Sequence, residues 1–151
     1  MITMKPFLPI VALSLALAGC ATSQRVTLGQ ASDVRPIKTV ALSAEDGNSP
    51  AMDANFRDAL AAQGIAPAAP APRSARTAPD ADAVLSYVDL WRWDLVMYLK
   101  SVDVHLFDAR SGNLLVTGRW EDSPMHGFRD AKAAVNELVV EMLAKVKPAT
   151  K

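Results

Sequence analysis

At 151 residues, 50% hydrophobic and 21% charged, the chain has room for one core and no second domain. Its formal charge is zero and its lysines and arginines are scattered singly, which excludes the basic stripe of a nucleic-acid binder. The single cysteine, Cys20, excludes an internal disulfide and a cysteine metal cluster, and His105 and His126 lack the spacing of a zinc site.

The first element is an address. Lys5 is followed by the apolar run FLPIVALSLALAG, too short for a comfortable membrane span and right for a signal-peptide core. It ends in LAGC, Leu17 to Cys20, where the small residues Ala18 and Gly19 fit a peptidase groove and a cysteine follows at once. This segment resembles the lipobox of bacterial lipoproteins. The resemblance implies cleavage between Gly19 and Cys20, a diacylglyceryl group on the Cys20 thiol and, usually, an acyl chain on the new amine. Two or more acyl chains make attachment stable. Ala21, in place of a retaining aspartate, implies the inner leaflet of the outer membrane with the domain in the periplasm; the inner membrane stays open as an alternative. Residues 1–19 are therefore expected to be a signal peptide. Residues 20–36, polar and without a sustained period, read as a lipidated N-terminus and flexible tether reaching roughly 50 Å when extended. An ordered strand around Val26 to Leu28 is the competing reading.

Residues 37–147 read as a single domain. IKTVAL, Ile37 to Leu42, is β-branched and partly alternating, and is expected to be a strand. Ser49 and Pro50 then suit a helix N-cap and first position, Met52, Phe56, Ala59 and Leu60 share one helical face, and Gly64 suits a left-handed stop. The helix is expected over about 50–63. The Pro/Ala-rich stretch 66–82 can continue neither a helix nor a central strand. It reads as a plain surface excursion rather than a partner-recognising loop, with Ile65 and Ala66 as a short edge strand before it.

Three strand-like stretches follow, over 83–93, 98–109 and 113–121, the last two joined as a hairpin by the turn residues of DARSG. In the first of them Leu85, Tyr87, Asp89 and Trp91 share one face and Val84, Ser86, Val88 and Leu90 the other. A closing helix over 129–146 presents Ala131, Val135, Leu138, Val139, Met142 and Val146 as an apolar stripe. The economical architecture is α+β: a two-layer sandwich of a mostly antiparallel sheet of about 4–5 strands with two helices packed on one face. The other sheet face is expected to stay wet or to await a partner.

The run LWRWDLVMYLK, 90–100, carries the densest chemistry. Trp91, Arg92, Trp93, Asp94 and Tyr98, with Trp120 from the following strand, form the candidate binding surface. They read as aromatic packing with satisfied polar tips, as protein-docking anchors, or as a platform for sugar rings or lipid. A catalytic reading would use Asp89, Asp94 or Asp103 with His105. No nucleophile elbow, phosphate loop or metal pattern accompanies them, so no catalytic residue, cofactor or metal is expected.

IKTVAL before a helix, the hairpin VDVHLFDARSGNLLVTGRW and the closing helix together resemble small α/β domains of proteobacterial envelope lipoproteins. These include domains similar to the N-terminal domain of the translocation protein TolB and to the curli secretion lipoprotein. The resemblance covers about 110 residues and implies a non-enzymatic accessory component of an envelope complex, with a protein partner or homo-oligomer besides its membrane anchor. A glycan, peptidoglycan or lipid binding module is the alternative.

Overall fold

The computed structural model describes residues 22–31, 34–124 and 128–146; the expected signal peptide and cleavage site, with Gly19 and Cys20, and His126 lie outside the described residues. Within them the fold is α+β, a six-stranded, mostly antiparallel open sheet in the order β1-β6-β5-β4-β2-β3 with two helices. The strands are β1 (Ser23–Leu28), β2 (Thr39–Ser43), β3 (Ala66–Pro67), β4 (Ala83–Asp94), β5 (Val96–Asp108) and β6 (Leu114–Glu121). The helices are α1 (Pro50–Ala62) and α2 (Ala131–Val146).

Alternation along β4 and β5 sends Leu85, Tyr87, Val102, Val104 and Leu106 to one sheet face, where they join Met52, Phe56 and Leu60 of α1 and Val135, Leu138 and Met142 of α2 in the main core. At its centre the rings of Phe56 and Tyr87 lie 4.4 Å apart. The buried Tyr87 hydroxyl donates to Asp53 of α1 at 2.7 Å. Both helices therefore cover the same face, as the apolar stripes require.

β2 pairs in parallel with both of its neighbours, β3 and β4. It lies inside the sheet and is buried on both sides, which suits its near-continuous apolar sequence. Ser49 occupies the N-cap position of α1, but its side chain makes no capping bond. Asp89 of β4 fixes the start of the helix by accepting from the Ser49 N–H at 3.2 and 3.3 Å. The helix ends as expected, with Gly64 in the left-handed region at φ 76°.

Three features depart from the sequence reading. The first is β1: residues 23–28, read as part of a flexible tether, form an edge strand antiparallel to β6 over the whole span from Ser23↔Glu121 to Leu28↔Val116. Only Val26 of this strand is buried. Its carbonyl takes a 2.7 Å bond from Lys145 of α2. The competing reading of an ordered strand around Val26 to Leu28 is the one the structure supports, and the strand's full extent is set by a partner some ninety residues away.

The second is the Pro/Ala-rich stretch, which is more than an excursion. The N–H groups of Ala66, Ala68 and Ala71 donate to the carbonyls of Lys38, Val40 and Leu42 along the outer edge of β2, each at 2.9 Å. Ala78 then packs with Ala41, Val84 and Ala109 in a second, smaller cluster, flanked by Ala68, Ala71 and Ala81. This corrects the expectation of a sheet face left wholly to solvent or a partner. Methyl-sized side chains let the loop backbone lie close against it, and its prolines occupy the edge where a missing N–H costs nothing. The third is the span from Asp94 to Met97, which reads from sequence as a connection or a bulged continuation: β5 begins at Val96, so the strands continue past a bulge at Leu90/Trp91 and the connection is Leu95 alone.

Candidate functional site

The hairpin of β4 and β5 runs past the rest of the sheet. The last rung that crosses to β6 and β1 is Leu90↔Ser101, Ser101↔Glu121 and Glu121↔Ser23. Beyond it the hairpin continues alone through Trp91↔Leu99, Arg92↔Tyr98, Trp93↔Met97 and Asp94↔Val96. A bulge between Leu90 and Trp91 leaves Lys100 as the extra residue of β5.

The six candidate residues separate along this extension. Trp120 is 3% exposed, within the main core, and adds nothing to an exposed patch. It sits on the helix-facing side of β6, on the Asp89–Val102 rung, five rungs back from the Asp94–Val96 pair at the tip and inside the core rather than in solvent. Trp91 is half-buried and its indole N–H donates to Asp89, the same carboxylate that holds Ser49. Tyr98 is buried, its ring edge-on to Phe128 at 5.7 Å. Arg92, Trp93 and Asp94 are exposed at the end of the hairpin, Trp93 by 70%.

The sequence reading missed the rest of that end. Leu95, Val96 and Met97 are also exposed, Leu95 by 83%. Leu95 makes the turn with φ 63°. A branched side chain in the left-handed region costs of order 1–2 kcal/mol, and glycine or asparagine is the usual occupant. A large apolar residue held both in solvent and in a strained backbone breaks two local rules at once. The available signal was the absence of any Gly, Asn or Pro between two long apolar strands.

Of the groups considered for catalysis, Asp89, Asp103 and His105 have the following contacts. Asp89 ties β4 to α1 and to Trp91. Asp103 takes a 2.5 Å bond from Arg119, which also reaches Glu121 at 3.2 Å. His105 stacks on Phe107 at 6.1 Å between centroids.

At the opposite end of the sheet Asp108 organises the β5–β6 turn. It accepts from the N–H groups of Arg110 and Ser111 at 3.0 and 2.8 Å, from the Ser111 hydroxyl at 3.0 Å and from Arg35 at 2.7 Å. Burial pushes this carboxyl up, but those donors outweigh it and hold it down at about 2. Nearby, Asp82 accepts from the N–H groups of Lys38 and Thr39, both at 2.9 Å. Both carboxylates hold loop and strand backbone in place, Asp108 through both oxygens and Asp82 through Oδ2.

Among the described residues no group of three or more His, Cys, Asp or Glu is placed to hold a metal ion, and no helix is long and apolar enough to cross a membrane.

No protein-family model matches the sequence, and no curated protein matches it. The backbone is similar to the PelC dodecamer from Paraburkholderia phytofirmans, with a TM-score of 0.55 and 19% identity over 86% of this chain and 100% of that one. A point variant of the same protein gives a TM-score of 0.52 and 20% identity over the same shares. A minor lipoprotein from Acinetobacter baumannii, at a TM-score of 0.37 and 13% identity over 74% of this chain and 91% of that one, is too distant to carry an argument. At these identities the likeness shows the fold.

Proposed function

We propose that the protein is a lipid-anchored envelope lipoprotein whose domain is a non-enzymatic docking and assembly component, placed in the periplasm on the inner leaflet of the outer membrane. The observation that carries this reading is LAGC at residues 17–20, immediately before a domain whose first strand starts at Ser23. A cysteine consumed by lipid leaves no nucleophile of its kind in the chain, and the remaining carboxylates near the sheet ends are engaged as described.

Assembly from several copies is part of the proposal. Both PelC structures are described as dodecamers, and β1 is an outermost strand with a row of backbone groups on its free side. Metabolic labelling with an alkyne fatty acid tests the anchor: label enters the wild-type protein and not Cys20→Ser. Native mass spectrometry of the detergent-solubilised full chain tests the assembly, and a monomer at every concentration would contradict it.

The glycan or lipid module remains as a second reading because Trp93 alone of the three indoles is free to stack on a ligand. Titration with peptidoglycan fragments while following Trp93 emission separates the two.

A further inference from the structure

The proposal above says how the chain is attached, and the sheet register says which end of the domain faces that attachment. Ser23, the first residue of β1, is on the rung of Glu121, Ser101 and Leu90, at the end of the sheet from which the β4–β5 hairpin projects. It is three residue steps from Cys20, a span of at most about 10 Å. The hairpin continues four residues past the same rung, from Trp91 to Asp94, which is about 13 Å of strand. Leu95 therefore reaches at least as far along the strand direction as the lipidated cysteine can. While β1 stays paired, a domain standing with its strands along the membrane normal brings that tip to the membrane surface.

What the tip carries fits such a surface. Trp93, Leu95, Val96 and Met97 are all exposed there, and the exposed Phe128 lies against Tyr98 at the base of the extension. An indole beside aliphatic side chains suits the boundary between headgroups and acyl chains, where its ring is buried and its N–H stays wet. The strained Leu95 turn has no structural explanation within the chain, since glycine would make it without cost.

We propose that this hairpin tip is a membrane-insertion element, with Trp93, Leu95, Val96 and Met97 entering the same bilayer that holds the Cys20 lipid. The orientation rests on the lipid-anchor reading. Insertion at two points fixes the tilt of the domain, which a lipid on a flexible tether would not do.

The test uses the full-length processed protein in vesicles of phosphatidylethanolamine and phosphatidylglycerol, with and without nitroxide-labelled acyl chains. Trp93 emission is isolated as the difference between wild type and Trp93→Phe. Insertion gives a blue shift on vesicle binding and loss of most of that emission to the nitroxide. The double variant L95G/M97E removes the apolar tip and relaxes the turn, so its melting midpoint is unchanged or higher, and its Trp93 emission stays red-shifted and unquenched. Wild-type quenching in that variant would overturn the proposal, as mere proximity would then explain it. A blue shift without nitroxide quenching would also overturn it, because a second copy or another protein then covers the tip. The mass of the N-terminal peptide from the same sample separates failure of the anchor from failure of the tip: an unmodified Cys20 removes the former, an anchored but unquenched protein the latter.

Discussion

Replacing Gly29 by alanine should release β1 while leaving the rest of the domain folded. Gly29 follows β1 directly and its N–H donates to the Leu115 carbonyl at 2.7 Å. A Cβ at this position would lie 1.9 Å from the Leu114 carbonyl oxygen and 2.6 Å from its carbon. Carbon contacts settle at about 3.5–4.0 Å, so one backbone must retreat by more than about 1 Å. These are main-chain atoms of a paired strand, with no rotamer by which to give way. Overpacking of this kind costs about 1–3 kcal/mol, and losing the Gly29 hydrogen bond adds about 1. Against that, β1 is held by an edge ladder, by bonds from Lys145 to the Val26 carbonyl and from Gln24 to Glu141, and by a single buried side chain, Val26, worth roughly 1.5–3 kcal/mol. The penalty is comparable to the burial of Val26 and falls at the end of an edge strand, so β1 should fray before the core is disturbed. Hydrogen exchange read on the peptide covering residues 22–31 should lose most of its protection, with little change in peptides from β4, β5 and α2. The freed segment would regain the long reach expected of a tether, and the proposed contact of the hairpin tip with the membrane should weaken. Wild-type protection of residues 22–31 in Gly29→Ala would refute the argument.

Other outcomes follow from single contacts. Phe56 is fully buried against Tyr87, so Phe56→Ala should cost about 3–5 kcal/mol and lower the melting midpoint on the order of 10 °C, as read by circular dichroism. Asp108 has a folded pKa of about 2 against an ordinary 3.8. Its contribution is therefore complete above the ordinary value and is lost as pH falls toward 2, roughly 2 kcal/mol in all. Denaturant midpoints should fall across that window in wild type and change less in Asp108→Asn, which is already weaker at neutral pH. In the absence of membrane, iodide should quench mainly the red-shifted part of the tryptophan emission. Trp93→Phe should remove that part and leave the shielded signal of Trp91 and Trp120.

Much of the fold was legible because its periodicities are strong. The α2 stripe from Val135 to Val146 and the alternation of Leu85, Tyr87 and Asp89 each assign a face without reference to partners. What escaped depends on contacts distant in sequence. β1 contributes one buried residue, so its sequence shows no alternation to read, and only β6 makes it a strand. The alanines of residues 66–82 look bland because a methyl group carries little local signal, yet their small size is what seats the loop on β2 and Val84. At the candidate site the aromatic run was visible but its division was not. Pattern placed Trp91, Trp93 and Trp120 together, whereas helix coverage buries Trp120, Asp89 engages Trp91, and the turn at Leu95 puts Trp93 in the open.

The reading of this protein as a membrane-held component depends first on Cys20. The most direct measurement is the mass of the N-terminal peptide of the processed protein, made in a bacterial host from the full-length sequence. The account predicts that the chain begins at Cys20 and carries a diacylglyceryl group on sulfur, with an acyl chain on the amine. A mature chain that begins elsewhere, or one that begins at Cys20 with a free thiol, would contradict it.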